Sequence, residues 1–192
     1  MTLIVVTGMP GTGSSTVIEA ALKLKLNEEG VAFTPMNYGD VMFEVAREEG
    51  LVEQRDDMRK LPKEKQQEIQ RLASEKIADL KESTNLIIDT HCTIKTPSGY
   101  LPGLPEQVLR KIKPDLFVLI EANPDEIFAR RQTDATRNRD VDDEKSIEEH
   151  QFMNRAMSMA YACLTGASVK IIMNHDGEVE KAAKEFFELM KR

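Results

Sequence analysis

The 192-residue chain is long enough for one well-buried domain with one or two small inserted flaps, and its 41% hydrophobic and 31% charged residues describe a folded protein rather than a disordered one. A formal net charge of −7 argues against a general nucleic-acid binder, which carries a basic excess. Two cysteines, Cys92 and Cys163, lack metal-like spacing and read as reduced thiols in a cytoplasmic protein, and apolar runs of strand length exclude a membrane span.

In chain order, Leu3–Thr7 is continuously apolar and predicts a first strand buried on both faces. A glycine-rich turn follows, then a helix from about Thr16 to Glu29 closed by Gly30, and a weaker second strand over Val31–Pro35. Asp40–Glu49 predicts a helix capped by Asp40 and stopped at Gly50. Beyond Pro62, the residues Ile69, Leu72, Ala73, Ile77 and Leu80 fall on one helical face. Asn85–Asp89 predicts a strand ending in a carboxylate, Pro97 to Pro105 a loop, and Leu116–Ile120 another buried strand.

Pro124 suits the first turn of the next helix, where its missing N–H costs nothing. Gln132–Asp143 lacks hydrophobic periodicity and predicts an exposed loop before a long helix to about Leu164, whose Met153–Met157–Ala160–Tyr161–Leu164 stripe reads as core. A strand over Val169–Met173 and a helix carrying Val179, Ala182, Ala183, Phe186, Leu189 and Met190 close the chain. Strands alternating with helices predict an α/β domain with five parallel strands in one sheet and helices on both faces.

The turn after the first strand, Gly8-Met9-Pro10-Gly11-Thr12-Gly13-Ser14-Ser15-Thr16, fits the phosphate-loop pattern, except that Ser14 stands in the lysine position. Glycines let successive N–H groups converge on phosphate oxygens, and the following helix N-terminus adds its partial positive charge. Ser15 would supply a hydroxyl to Mg²⁺. A tight turn with no ligand is the alternative. The missing ammonium requires another cation, because lysine normally bridges the β- and γ-phosphates.

Several motifs together resemble those of the archaeal-type adenylate kinases, P-loop nucleoside monophosphate kinases. They are Gly8-x-Pro10-Gly11-x-Gly13, Asn37-Tyr38-Gly39-Asp40-Val41-Met42, Arg55-Asp56-Asp57-Met58-Arg59-Lys60-Leu61 and Asp89-Thr90-His91, with the long Ile94-Lys95-Thr96-Pro97-x-Gly99-Tyr100-Leu101-Pro102-Gly103-Leu104-Pro105 segment and Thr136-Arg137-x-Arg139-Asp140. The resemblance spans nearly the whole chain. It implies a three-layer P-loop NTPase fold over 1–192, an AMP-binding flap at about 36–82 and a short lid at about 132–143. It also implies reversible transfer from Mg-ATP to AMP giving two ADP, and a homo-oligomer, often a trimer.

Asp89 is placed to hold Mg²⁺ or its water shell, with turn capping as the alternative, and Asp40 either shares that shell or caps its helix. Arg130, Arg131, Arg137 and Arg139 suit phosphate oxygens on a closing lid, with Arg131, Arg137 and Arg139 in catalytic roles. The alternative is a solvated loop pairing with Asp134, Asp140 and Asp142. Tyr38, Gly39 and Arg59 fall on the AMP side, Arg59 either gripping the α-phosphate or pairing with Asp56. His91, Lys95 and Tyr100 follow the Asp89 strand and face the acceptor, whereas His150 and His175 read as surface residues. Phosphoryl transfer needs no general base and no covalent intermediate. Two other readings stay open: a kinase acting on CMP or UMP, and a nucleotide-binding regulator that lost catalysis with its lysine.

Overall fold

Apolar residues at every position of a strand leave it no face for water, and this chain buries such strands between two helical layers. The computed structural model describes residues 1–25, 32–133 and 143–191. Its main sheet holds β1 (Leu3–Thr7), β2 (Phe33–Asn37), β3 (Asn85–Thr90), β6 (Leu116–Glu121) and β7 (Ser168–Met173) in the order β2-β3-β1-β6-β7, all parallel. Side chains alternate across the sheet. Leu3, Val5, Leu86, Ile88, Phe117 and Leu119 face α2 (Tyr38–Glu48), α3 (Lys63–Ser83), α4 (Glu106–Ile112) and α6 (Glu144–Thr165). Ile4, Val6, Ile87, Val118, Ile120 and Ile172 face α1 (Ser14–Lys25) and α7 (Val179–Met190). The remaining helix, α5 (Pro124–Thr133), places Ile127 with Met9, Ala122 and Ile147 in a small cluster beneath the glycine turn.

The five-stranded sheet stands as expected, while several boundaries differ. The second strand runs over Phe33–Asn37, because pairing with all of Asn85–Asp89 sets its register; Pro35 is tolerated on this edge strand. It feeds straight into α2, so Asn37 caps that helix, its side chain accepting from the Asp40 N–H at 3.2 Å. Asp40, expected as the cap, lies instead in the first turn of α2 and pairs with Arg55. Between α2 and α3 a 3₁₀ turn over Arg55–Lys60 buries nothing. In α3 the buried set is Ile69, Ala73, Ser74 and Ile77, and Leu80 remains exposed.

The expected loop at Pro97–Pro105 contains half of an antiparallel hairpin, β4 (Thr93–Thr96) with β5 (Gly99–Pro102), and leads into α4. Its prolines and glycines hid the pairing. The largest departure is α6. Its inward face carries Ile147, His150, Gln151, Asn154, Ser158, Tyr161 and Ala162, whereas Phe152, Met159, Cys163 and Leu164 face outward. Of the stripe read as core, Tyr161 is buried, Met153 and Met157 are half-buried, and Ala160 and Leu164 are exposed. His150 is likewise a core residue: its Nε2 lies 3.1 Å from Thr93 Oγ1 and its ring stacks edge-on against Tyr100. Polar side chains tolerate this burial because each finds a partner, including Asn154 with Thr93 and Gln151 with both the N–H and C=O of Ala122.

Among the described residues no helix is long and apolar enough to cross a membrane. The end of the first helix, Gly30 and Val31 lie outside the described residues.

Candidate active site

The carboxyl ends of β1, β3 and β6 meet at the point where the chain leaves the sheet in opposite directions, the usual ligand crevice of such sheets. The glycine turn occupies it. Gly11 and Gly13 adopt φ of +98° and +79°, a region in which side chains are strained. Thr12, fully buried, donates both its N–H (3.1 Å) and its hydroxyl (3.0 Å) to the Met9 carbonyl, closing the turn. Arg130 and Arg131, in the last turn of α5, donate to the Gly11 and Pro10 carbonyls at 3.2 and 2.7 Å. Both therefore lie against the loop itself. Arg137 and Arg139, with Asp134, Asp140 and Asp142, lie outside the described residues.

Ser15 and Thr16 open α1 on its exposed side. The Ser15 hydroxyl donates to Asp89 Oδ2 at 2.8 Å, and Ser14 Oγ sits 3.5 Å from Oδ1. Burial pushes the Asp89 carboxyl above its ordinary value, against the lowering effect of the two serines and His91, and the neighbouring Asp40 charge pushes it further up. Such a carboxylate is short of positive charge. A hydroxyl and a carboxylate are hard oxygen donors that suit Mg²⁺. Among the described residues no group of three or more His, Cys, Asp or Glu side chains converges on one point. Ser15 and Asp89, with Asp40 nearby, could hold such an ion.

Asp40 points to the same side and pairs with Arg55, which also donates to Asn37 Oδ1 at 3.2 Å. The bare Cα of Gly39 gives this guanidinium its room. Tyr38 is buried, its hydroxyl directed to the Gln70 carbonyl and its pKa raised by that burial. Arg59 is exposed and makes no ion pair with Asp56. His91 stands beside the glycine turn, with Nδ1 3.4 Å from the Gly8 carbonyl. Lys95 and Tyr100 reach α6, at Ser146 and at Glu149 (3.0 Å). The structure thus gathers the glycine turn, Ser14, Ser15, Asp89 and His91 tightly, with Arg55 and Asp40 at the next strand. Tyr38 lies in the core beside them, while exposed Lys95 and half-buried Tyr100 stand on the hairpin against α6.

Sequence reasoning passed over Asn174, Arg55, Glu121 and Arg155. Asn174, buried at the end of β7, donates to the Thr12 carbonyl at 2.8 Å. Arg155 chelates the buried Glu121 at the end of β6, with Nε at 2.9 and 3.0 Å from its two oxygens. The available signal was positional: Glu121 and Asn174 are polar residues at the carboxyl ends of apolar strands, as Asp89 is. His175 also leaves the surface role expected of it, half-buried with Nδ1 3.0 Å from Glu126 Oε2. Burial would raise the Glu126 carboxyl, yet the Asp176 N–H, His175 and the Asn123 N–H together hold it at about 2.

Comparison with known proteins agrees with this geometry. A family model described as an AAA domain matches residues 7–148. A shikimate kinase from Acinetobacter baumannii in complex with shikimate superposes with a TM-score of 0.57 at 12% identity, over 98% of this chain and 92% of that one, which speaks to the fold alone. The adenylate kinase of Methanopyrus kandleri is 57% identical over 191 residues, 98% of this chain and 97% of that protein. That of Methanocaldococcus jannaschii is 52% identical over 189 residues, covering 98% of each. Full-length identity at this level, on a glycine turn that carries serine in the lysine position, means that the chain belongs to the archaeal adenylate kinases.

Proposed function

We infer that this adenylate kinase carries the γ-phosphoryl group of Mg-ATP to AMP, giving two ADP, and runs equally in reverse. An oxygen of the AMP phosphate attacks the γ-phosphorus in line, and the bond to the β-phosphate oxygen breaks. No proton has to leave the nucleophile, so no base is required. Catalysis consists of alignment and charge neutralisation. The observation that carries this reading is the Ser15–Asp89 contact at 2.8 Å beside a turn with glycine at two positive-φ positions. Phosphate oxygens meeting amides and the α1 N-terminus would lie next to the Ser15 hydroxyl and the Asp89 carboxylate, which suit their ion. Ser15 and Asp89, with Asp40 beside them, would hold Mg²⁺ there, and it would supply positive charge to offset that of the transferred group.

Residues 8–16 take the ATP polyphosphate. Gly39, Arg59 and the 36–82 flap take AMP, and Arg55 stands at the border between the two half-sites. In the same reading Tyr38, His91, Lys95 and Tyr100 serve the AMP half-site, Tyr38 from the core of the flap, His91 from beside the loop, and Lys95 and Tyr100 from the hairpin against α6. Arg131 contributes positive charge from beneath the loop, and Arg137 and Arg139 from a lid at about 132–143. A coupled assay of ADP formation with AMP, CMP and UMP as acceptors tests the reading. Turnover with AMP is expected, and turnover with CMP or UMP alone would replace it. A chain that binds ATP but turns over no acceptor would be a regulator.

The same chain assembles with copies of itself, as trimers if it follows the resemblance, and works in the cytoplasm. Phe152, Met159 and Cys163 on the outward face of α6 support the first, and two unpaired thiols the second. Sedimentation of the wild type against Met159→Lys checks the assembly; a monomeric wild type would end it.

A further inference from the structure

Three successive carbonyls of the phosphate loop accept hydrogen bonds from side chains 119 to 162 positions away. Arg131 Nε donates to Pro10 at 2.7 Å, Arg130 Nη1 to Gly11 at 3.2 Å, and Asn174 Nδ2 to Thr12 at 2.8 Å. In a trans peptide the carbonyl and the following N–H point in opposite directions. With these carbonyls held towards α5 and β7, the Gly11 and Gly13 amides face the other way, into the crevice. Thr12 spends its own amide on Met9.

Glycine makes this shape accessible and also makes it easy to lose, because a peptide beside glycine can flip at small cost. The clamp itself is well held. Arg130 also donates to Asp176 Oδ1 (2.7 Å) and to the Asn174 carbonyl (2.9 Å), and the Asn174 amide donates to the Glu121 carbonyl at 2.7 Å. The bare Cα of Gly13 lets Asn174 approach: a Cβ there would stand 2.7 Å from Nδ2.

We propose that Asn174 and Arg130 are positioning residues for the donor nucleotide: Asn174 holds the Thr12 carbonyl outward so that the Gly13 amide stays aimed at the polyphosphate, and Arg130 holds Asn174 and the Gly11 carbonyl in place, in a loop that has no lysine at position 14. The proposal rests on the reading of residues 8–16 as the ATP site. Their effect belongs to ATP and not to AMP, since the hydrogen bonds of their side chains are with the loop and the β7–α7 turn.

The test uses Asn174→Asp, which keeps shape but loses the donor, together with Asn174→Ala and Arg130→Lys, which keeps charge but cannot serve three acceptors at once. Calorimetric titration with ATP should show affinity falling about tenfold, the size of one lost charge-assisted or buried hydrogen bond. The KM for AMP should stay within about twofold of wild type. Exchange of the 11–15 amides should quicken in each variant. If Asn174→Ala fails to fold, Arg130→Lys carries the same comparison. Unchanged ATP affinity, Arg130→Lys matching wild type, or equal losses for ATP and AMP would overturn the positioning role. A wild-type chain that neither binds ATP nor turns it over with AMP would instead overturn the reading beneath it.

Discussion

The two sides of the crevice are held by different means. On the ATP side the loop is fixed by part-buried or buried hydrogen bonds from α5 and β7, and Glu121 and Arg155 stand at the end of the adjoining strand. On the side proposed for AMP, the 3₁₀ turn at Arg55–Lys60 has no fully buried residue; half-buried Met58 packs on the core, and its polar attachments, Arg55 to Asp40 and Asn37 and Gln66 to the Arg59 carbonyl, are exposed. Buried hydrogen bonds hold geometry; exposed ion pairs contribute little and exchange readily. If the proposed half-sites are right, one nucleotide would meet a preformed cradle and the other a wall that can rearrange, which suits an enzyme that must bind two nucleotides and then exclude water.

Breaking the rigid side should have the largest consequence. Gly13→Val places a β-branched residue at φ +79° with its Cβ against Asn174. ATP affinity should fall by about a hundredfold or more, equivalent to roughly 3 kcal/mol of backbone strain and lost approach. Titration calorimetry reads this directly, and retained affinity would contradict the loop assignment. Next in size, Arg155→Met leaves Glu121 buried without a partner. Urea unfolding should show a loss of about 3 kcal/mol, the low end for an uncompensated buried charge because Arg155 itself is half exposed.

Glu126→Gln tests the anchor of the β7–α7 turn. A Glu126 carboxyl lowered from 4.5 to about 2 in the folded chain stabilises it fully above pH 4.5, and this is lost as the pH falls towards 2. At pH 7 the variant should be destabilised by about 1.5–3 kcal/mol, with the gap to wild type closing through that acid window. A gap independent of pH would show that the carboxylate's charge is not what holds the turn. The smallest effect should come from the flexible side: Arg55→Gln should change stability by less than about 1 kcal/mol, and added salt should shrink even that difference. A larger, salt-insensitive loss would mean that the flap is as firmly fixed as the loop.

The sheet was legible because β1, β3 and β6 each carry an unbroken apolar run, Leu86–Ile88 in β3, and the glycine turn because its spacing survives the loss of lysine. The hairpin was not legible: Pro97, Gly99, Pro102 and Gly103 signal turns, and pairing of Lys95 with Tyr100 or Ile94 with Leu101 depends on docking to α6. Asp40 was misplaced as a cap because Asn37, three positions earlier, serves at a junction where strand runs directly into helix. His150 and Asn174 were hidden for a shared reason. Polarity predicts exposure unless partners are known, and theirs, Thr93 and Thr12, come from distant parts of the chain.

α6 turns its amides, hydroxyls and imidazole inward and wears Phe152, Met159 and Cys163 outside. If sister chains cover that strip, heat resistance should rise with protein concentration, since mass action favours whatever shields it. The Cys163 thiol then becomes a natural reporter, alkylated quickly in dilute samples and slowly in concentrated ones, while Cys92, locked in the interior with its pKa pushed up to about 11, stays silent in both.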